Sequence, residues 1–323
     1  MDFQFEEFRN LCPKELAAGC SVIICCHNSS SRLPKTLFHV ATQKIQHNQP
    51  WEVLLIDNAS TDLTALVAEQ AWQRLGSPAP LRIILEKKHG LSNARRAGVL
   101  EAKYDVIVFC DDDNRLSAGY LDCAIRIMNA HPEVGVAGGR HSVICENDID
   151  VPDWFYSYAN SFAVGVQALR SGDITFRGYV WGAGMVLRAS FLRKMYERDL
   201  QPLLTGRLRE QISSGDDSEI CKWYILGGYS LWYDEDLRLS HYMPISRLTP
   251  DYLLRLHEGF RASSRVLKAY DLFIARRLAL SGFKRFPFRW LKAELAFWRY
   301  SRDFYFYLVR AEKLARFSRQ ALS

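Results

Sequence analysis

The 323-residue chain has no apolar run long enough to cross a bilayer. Its first ten residues, MDFQFEEFRN, lack the basic-then-apolar order of a secretory leader, which predicts a cytoplasmic protein. There is no CxxC pair, so the eight cysteines do not read as a zinc site. Cys25 and Cys26 are adjacent and Cys110 ends an apolar run. These are positions for small buried hydrophobes rather than disulfides, and they fit a reducing compartment. No internal repeat or low-complexity linker interrupts the chain. No segment reads as a nucleic-acid-binding module, and no side-chain arrangement demands a covalent nucleophile.

What is present suits a globular protein of one large domain or two modest ones, with 48% hydrophobic and 24% charged residues. The net charge of +6 is unevenly spread. Residues 251–323 carry 16 Lys and Arg against 6 Asp and Glu, whereas the rest carry 26 against 30. A basic end on a mildly acidic body suggests an anionic partner such as a membrane surface or a phosphorylated substrate.

The first half alternates in period. SVIICC, WEVLLID, LRIILEK and DVIVFC read as buried strands, and VGVAGG as a short fifth. Between them lie a helical stretch ending near Ile45 and the helical patterns TDLTALVAEQAWQRL, LSNARRAGVLEA and SAGYLDCAIRIMNA. Short apolar runs alternating with helices predict βαβ units and a mostly parallel α/β sheet flanked by helices. The rhythm breaks near Arg140. A helix is expected over about 188–197, another in GDDSEICKWYILGG, strands in YSLWYDEDLRLSHYM, and helices from Thr249 onward. The expected division is 1–248, with halves 20–140 and 141–248, followed by a basic, aromatic helical extension over 249–323.

Open parallel sheets bind ligands beyond the carboxyl ends of their strands. Each of the first four strands delivers polar groups there: CCHN, DNASTD, KKHGLSNARRAG and DDDN. In DNASTD, Ser60 or Thr61 can cap the next helix with Asp62 near its positive end, while Asp57 is not needed as a cap and could accept a hydrogen bond from a nucleobase. Arg95 is the better placed of an Arg pair to clamp a phosphate.

VIVFCDDDN runs an apolar strand into three aspartates. Two carboxylates about 4 Å apart repel by roughly 4 kcal/mol at an effective dielectric of 20, so the cluster is either solvated or neutralised. Mg²⁺-like cations take carboxylates and substrate phosphates together. Asp111 and Asp113, two apart on an extended chain, would point the same way. Asp216 and Asp217 open a helix, either as dipole-favoured acids or as a general base. His241 is either a structural histidine or a further metal ligand.

SVIICCHNSSSRLPKTL, LLIDNASTDLT, GLSNARRAG, VIVFCDDDN and GDDSEI, in this order, resemble the GT-A-type inverting glycosyltransferases of family 2. The likeness covers roughly Ser21 to Leu248. It implies that Asp57 contacts the donor base, Arg95 lies near the diphosphate, Asp111 and Asp112 belong to the donor site, and Asp111 touches the ribose. It further implies that Asp113 and His241 hold Mn²⁺ or Mg²⁺ and that Asp217 is the catalytic base. VPDWFYSYANSFAVG and GYVWGAGMVLR are similar to acceptor-side segments of bacterial members, which puts Trp181 and Asp216 on that side. The implied activity is transfer from a nucleotide sugar, with uridine as the default base, to an acceptor hydroxyl in surface polysaccharide or glycoconjugate synthesis.

Three features depart from the family pattern. Cys25 and Cys26 stand where proline is usual, and Arg96 stands where asparagine is often seen. Arg289 and Trp290 echo a processive-synthase motif, but Phe286 replaces its glutamine, which implies a non-processive enzyme. A sugar nucleotidyltransferase is the alternative, but CCHNSSSRLP lacks the glycines of its nucleotide loop. A DxD phosphatase would need threonine where Arg115 stands. A non-catalytic nucleotide-sugar-binding protein would keep the fold without turnover. In the tail, Leu291, Leu295, Trp298, Arg302 and Tyr305 fall near one helical face, and Phe297, Tyr300, Phe304 and Tyr307 broaden its apolar side. That helix either packs on the body or lies on an anionic membrane, which would suit a lipid-linked acceptor and a peripheral location at the inner membrane face.

Overall fold

The computed structural model describes residues 16–206, 214–281, 287–301 and 304–320. Residues 1–15, Phe286, Arg302 and the side chains of Arg289 and Trp290 lie outside the described set.

The expected alternation is present. In chain order the elements are β1 (Ala17–Cys26), α1 (Leu33–Ala41), β2 (Trp51–Asp57), α2 (Thr64–Arg74), β3 (Leu81–Leu85), α3 (Leu91–Glu101), β4 (Tyr104–Asp111) and β5 (Asn114–Leu116). Next come α4 (Tyr120–Ala130), β6 (Val134–Cys145), β7 (Gly172–Asp173), β8 (Val186–Arg188), α5 (Ala189–Glu197), α6 (Asp216–Leu226) and β9 (Ser230–Met243). Three helices close the chain: α7 (Pro250–Ser281), α8 (Pro287–Ser301) and α9 (Tyr305–Gln320).

One sheet runs in the order β3-β2-β1-β4-β8-β6-β9-β5, with β7 on β9. Strands β3, β2, β1 and β4 are parallel, as βαβ crossovers require. Beyond β4 the sheet is mixed, because β8 pairs antiparallel with both β4 and β6 while β9 runs parallel to β6. Side chains alternate between the faces. Ile23, Leu54, Ile56, Ile107 and Phe109 join a core on one side, and Val22, Ile24, Val53, Leu55 and Val108 join a core on the other. Both faces are therefore covered, which is why these strands read as continuous apolar runs. Gly98 of α3 permits the closest approach, since a Cβ there would meet Ile23 Cγ2 at 2.5 Å.

Two expectations are corrected. The rhythm does not stop at Arg140, because β6 runs through to Cys145 and pairs with β9 along its length. The polar letters of this half conceal the strand: Arg140 is exposed while His141 is buried. The second correction concerns YSLWYDEDLRLSHYM, which is one 14-residue strand rather than several.

The sheet ends at Met243 and α7 begins at Pro250. Helix α7 packs on α6. Tyr270 hydrogen-bonds Glu219 of α6 at 2.8 Å, and Lys222 of α6 pairs with Asp271. In turn α8 is tied to α7 by Arg276, which donates twice to Glu294 at 2.9 and 3.1 Å.

Candidate active site

The parallel strands end at one level. The register pairs Cys25 with both Ile56 and Asp111, and Cys26 with Asp57. Beyond this edge lies a cavity of about 1180 Å³. Arg95, Asp111, Asp112, Asp113, Trp181, Asp216, Asp217 and His241 all line it. Asp57 does not, whereas its neighbour Asn58 does.

Asp57 is engaged locally: its Oδ1 accepts the Ser60 N–H at 3.0 Å and closes the turn. The N-cap residue of α2 is Leu63, and Asp62 just before it accepts from Thr64 N through Oδ1 at 3.0 Å. Ser60 and Thr61 instead clasp Asn28, through Asn28 N to Ser60 Oγ at 3.0 Å and Thr61 N to Asn28 Oδ1 at 2.8 Å. Asn58 donates to the Lys88 carbonyl at 2.6 Å and accepts from Gly90 N at 2.8 Å, which ties the first loops together.

The aspartate triplet does not remain extended. Asp112 and Asp113 form the turn between β4 and β5, and the three carboxylates have different surroundings. Asp112 Oδ2 accepts from Arg32 at 2.6 Å and from the Ser29 hydroxyl, while its carbonyl accepts from Thr36. Asp111 stays on the cavity; burial raises its carboxyl to about 6 against the pull of Arg95, with Asp113 adding to the rise.

Asp113 is buried between Arg247 and His241. Its Oδ2 accepts from Arg247 at 2.8 Å, and its Oδ1 lies 3.5 Å from His241 Nε2. Sheet pairing creates this meeting: Asn114 of β5 is opposite His241 of β9, and Tyr242 N donates to the Asp113 carbonyl at 2.9 Å. His241 Nδ1 is 3.0 Å from the Phe162 carbonyl. A carbonyl only accepts, so Nδ1 carries a proton and the neutral ring has its lone pair on Nε2, towards Asp113. Asp113 Oδ1 also accepts from Asn114 Nδ2 at 3.2 Å, and between this oxygen and Nε2 there is a place for a proton or a metal cation. Asp113 and His241 are the residues that could hold a divalent cation here. Among the described residues, no cluster of three or more His, Cys, Asp or Glu is arranged for a metal.

The opposite wall is set by α3 and α6. Arg95 and Asp216 are both buried, and Nη1 donates to Oδ2 at 2.6 Å. Arg95 also covers the Phe109 ring at 5.0 Å. The expected phosphate clamp is thus a carboxylate's partner. Asp217 Oδ1 accepts Ser218 N at 2.7 Å and Oδ2 accepts Gly182 N at 2.9 Å. Burial raises its carboxyl above the usual range; Asp216 adds to this, while Arg95 and the two N–H groups oppose it. Only glycine fits at 182, where a Cβ would lie 2.8 Å from Arg95 Nη2 and 3.2 Å from Asp217 Cβ. Trp181 is buried against His141 at 5.1 Å, and its backbone N–H donates to Gln167 Oε1 at 3.0 Å.

Sequence reasoning missed Arg247 and Arg32, and it left His27 and His89 without roles although their rings meet at 5.5 Å on the cavity wall. A basic residue just past the last strand was the only signal for Arg247. The wall formed by α7, including Phe260 and Leu267, had none. Cys25 also lines the cavity, but burial pushes its thiol up to about 12, consistent with a packing role.

A family model described as Glycosyl transferase family 2 matches residues 21–195, more than half of the chain. An uncharacterized glycosyltransferase of Bacillus subtilis, YwdF, is 30% identical over 103 residues, 32% of this chain and 35% of that protein. An undecaprenyl-phosphate 4-deoxy-4-formamido-L-arabinose transferase of Pseudomonas savastanoi is 31% identical over 93 residues, 29% of this chain and 27% of that protein. The matches thus span about a third or less of these relatives. Among solved structures, S. aureus TarS 1–349 in complex with UDP aligns with a TM-score of 0.50 and 16% identity, covering 84% of this chain and 72% of that one. GalNAc-T7 with UDP, GalNAc and Mn²⁺ aligns with a TM-score of 0.52 and 17% identity, covering 80% and 51%. The chain belongs to glycosyl transferase family 2 and has the GT-A α/β fold.

Proposed function

We propose that this protein is an inverting glycosyltransferase that moves a sugar from a nucleoside-diphosphate donor to an acceptor hydroxyl. The observation carrying this reading is that one cavity joins two walls of different chemistry: Asp113 with His241 and Arg247, and Asp217 beside the buried Arg95–Asp216 pair. In this reading Asp217 takes the acceptor proton. The acceptor oxygen forms a bond to the anomeric carbon as the bond from that carbon to the diphosphate breaks, on the opposite face. A single displacement inverts the configuration. The Gly182 and Ser218 N–H groups hold the Asp217 carboxylate in one orientation, and Arg247 reaches the leaving diphosphate. Asp113 and His241 would hold the divalent cation, which neutralises the diphosphate when bound. Asp111 contacts the ribose, and Asp57, Asn58 and His27 belong to the base end.

Uridine is the first base to test, because TarS and GalNAc-T7 were both solved with UDP. A lipid-linked acceptor in surface polysaccharide or glycoconjugate synthesis fits the undecaprenyl-phosphate transferase among the relatives. A cytoplasmic site of action is part of the proposal, supported by seven described cysteines that are all free.

The test is thermal unfolding with UDP, GDP, dTDP and CMP, each with and without Mn²⁺. At about 100-fold excess over Kd a ligand adds roughly 2.7 kcal/mol of stability. The expected result is a nucleotide-diphosphate shift that Mn²⁺ enlarges and that Asp113→Ala loses. The absence of a shift with every nucleotide would remove the donor-site reading.

A further inference from the structure

Helix α8 carries an apolar stripe of largely exposed side chains. Leu291, Leu295 and Trp298 recur at helical spacing, so they lie on one face over about 10 Å. They are 47, 62 and 64% exposed, and Tyr305 and Phe306 at the start of α9 are 72 and 67% exposed. The other side of α8 is occupied: Glu294 takes both hydrogen bonds from Arg276, whose guanidinium also covers the Phe297 ring at 4.2 Å. The helix is therefore fixed to α7 with its stripe outward. Glu294 also accepts the Trp298 indole N–H at 2.8 Å.

The charges beside the stripe choose its occupant. Lys292 and Arg299 are exposed, one position past Leu291 and Trp298, along the same flank. The acid on the opposite flank, Glu294, is neutralised by Arg276. The whole region from 251 to 323 is strongly basic. A second copy seated here would set basic flank against basic flank. An anionic bilayer satisfies both features at once, taking Leu and Trp into the headgroup–acyl boundary and Lys and Arg at the phosphates. Among the described residues, no helix is long and apolar enough to cross a membrane.

We infer that α8 and the start of α9 dock this protein on an anionic bilayer surface, with the helix lying in the interface. The inference does not depend on the catalytic reading, and its test needs no turnover. The full chain is sedimented with vesicles of phosphatidylcholine alone and of equimolar phosphatidylcholine and phosphatidylglycerol. Binding is expected to the anionic vesicles and to weaken as salt rises. The double variant Leu295→Asp/Trp298→Asp should lose about tenfold or more of this binding while retaining the wild-type melting temperature. Lys292→Glu/Arg299→Glu should lose the salt-sensitive part. Leu295→Ser tests the stripe with the Trp298–Glu294 bond intact. The inference is overturned if the wild type ignores anionic vesicles, if the stripe variants bind as well as the wild type, or if size-exclusion chromatography shows a dimer that they dissociate.

Discussion

Arg95 and Asp216, 121 positions apart, meet at 2.6 Å with both side chains buried. The pair locks the start of α6 to α3 and so fixes where Asp217 stands. Removing one partner leaves an uncompensated charge in the interior, which costs about 3–5 kcal/mol. Arg95→Met should therefore lower the urea midpoint sharply. Arg95→Met with Asp216→Asn should recover part of that loss, since the two residues share one interaction. Equal and additive losses would show that the pair contributes nothing as a pair.

Asp217 is expected to govern the acid side of the pH–rate profile. Its carboxyl titrates above the usual range because of burial and Asp216, so a base role is lost as pH falls through that raised value. Asp217→Asn should reduce transfer by about 10²–10⁴-fold with donor affinity retained. Arg95 lowers the Asp217 pKa, so a folded Arg95 variant should show the acid limb displaced to higher pH. An unchanged limb would remove Asp217 as the titrating base.

Much of this arrangement was legible in the sequence because parallel strands advertise themselves. Val22 to Ile24 and Val53 to Ile56 are apolar on both faces, and their ends mark the ligand edge. Eight of the nine expected site residues accordingly line one cavity. What could not be read was pairing across distance. Asp113 meets His241 only because β5 lies antiparallel to β9, and three residues of β5 carry no signal of that partner. Nor does an arginine announce whether it will face a phosphate or a carboxylate, and Arg95 faces Asp216.

The two partners of Asp113 should separate in a binding experiment. His241 Nε2 lies 3.5 Å from one oxygen, while Arg247 donates to the other at 2.8 Å. His241→Ala should abolish the Mn²⁺-dependent part of the UDP shift and leave the metal-free part. Arg247→Met should weaken both parts, by about 1.5–3 kcal/mol, the usual worth of a hydrogen bond to a charged group. Calorimetric titration of UDP with and without Mn²⁺ reads the split. Identical behaviour of the two variants would show that the oxygens are not used separately.

Glu219 sets two physical effects against each other. It is fully buried, and burial raises its carboxyl above the usual glutamate value. A carboxylate with a raised folded pKa makes stability fall as pH rises from the unfolded value through the folded one, so at neutral pH its charge is a cost. Yet its oxygens accept three donors: Leu203 N at 3.0 Å, Leu204 N at 2.8 Å and the Tyr270 hydroxyl at 2.8 Å. Glutamine would relieve the charge but must point an NH₂ group at one of those donors, which costs about 1–3 kcal/mol. The geometric term should win, so Glu219→Gln is expected to be less stable at pH 7 than the wild type. Tyr270→Phe, which removes one donor and leaves both oxygens bonded to backbone, should cost only about 1 kcal/mol. Urea unfolding at pH 7 decides the matter. A more stable Glu219→Gln would mean that desolvation, and not the three-donor cradle, dominates at the joint between α6 and α7.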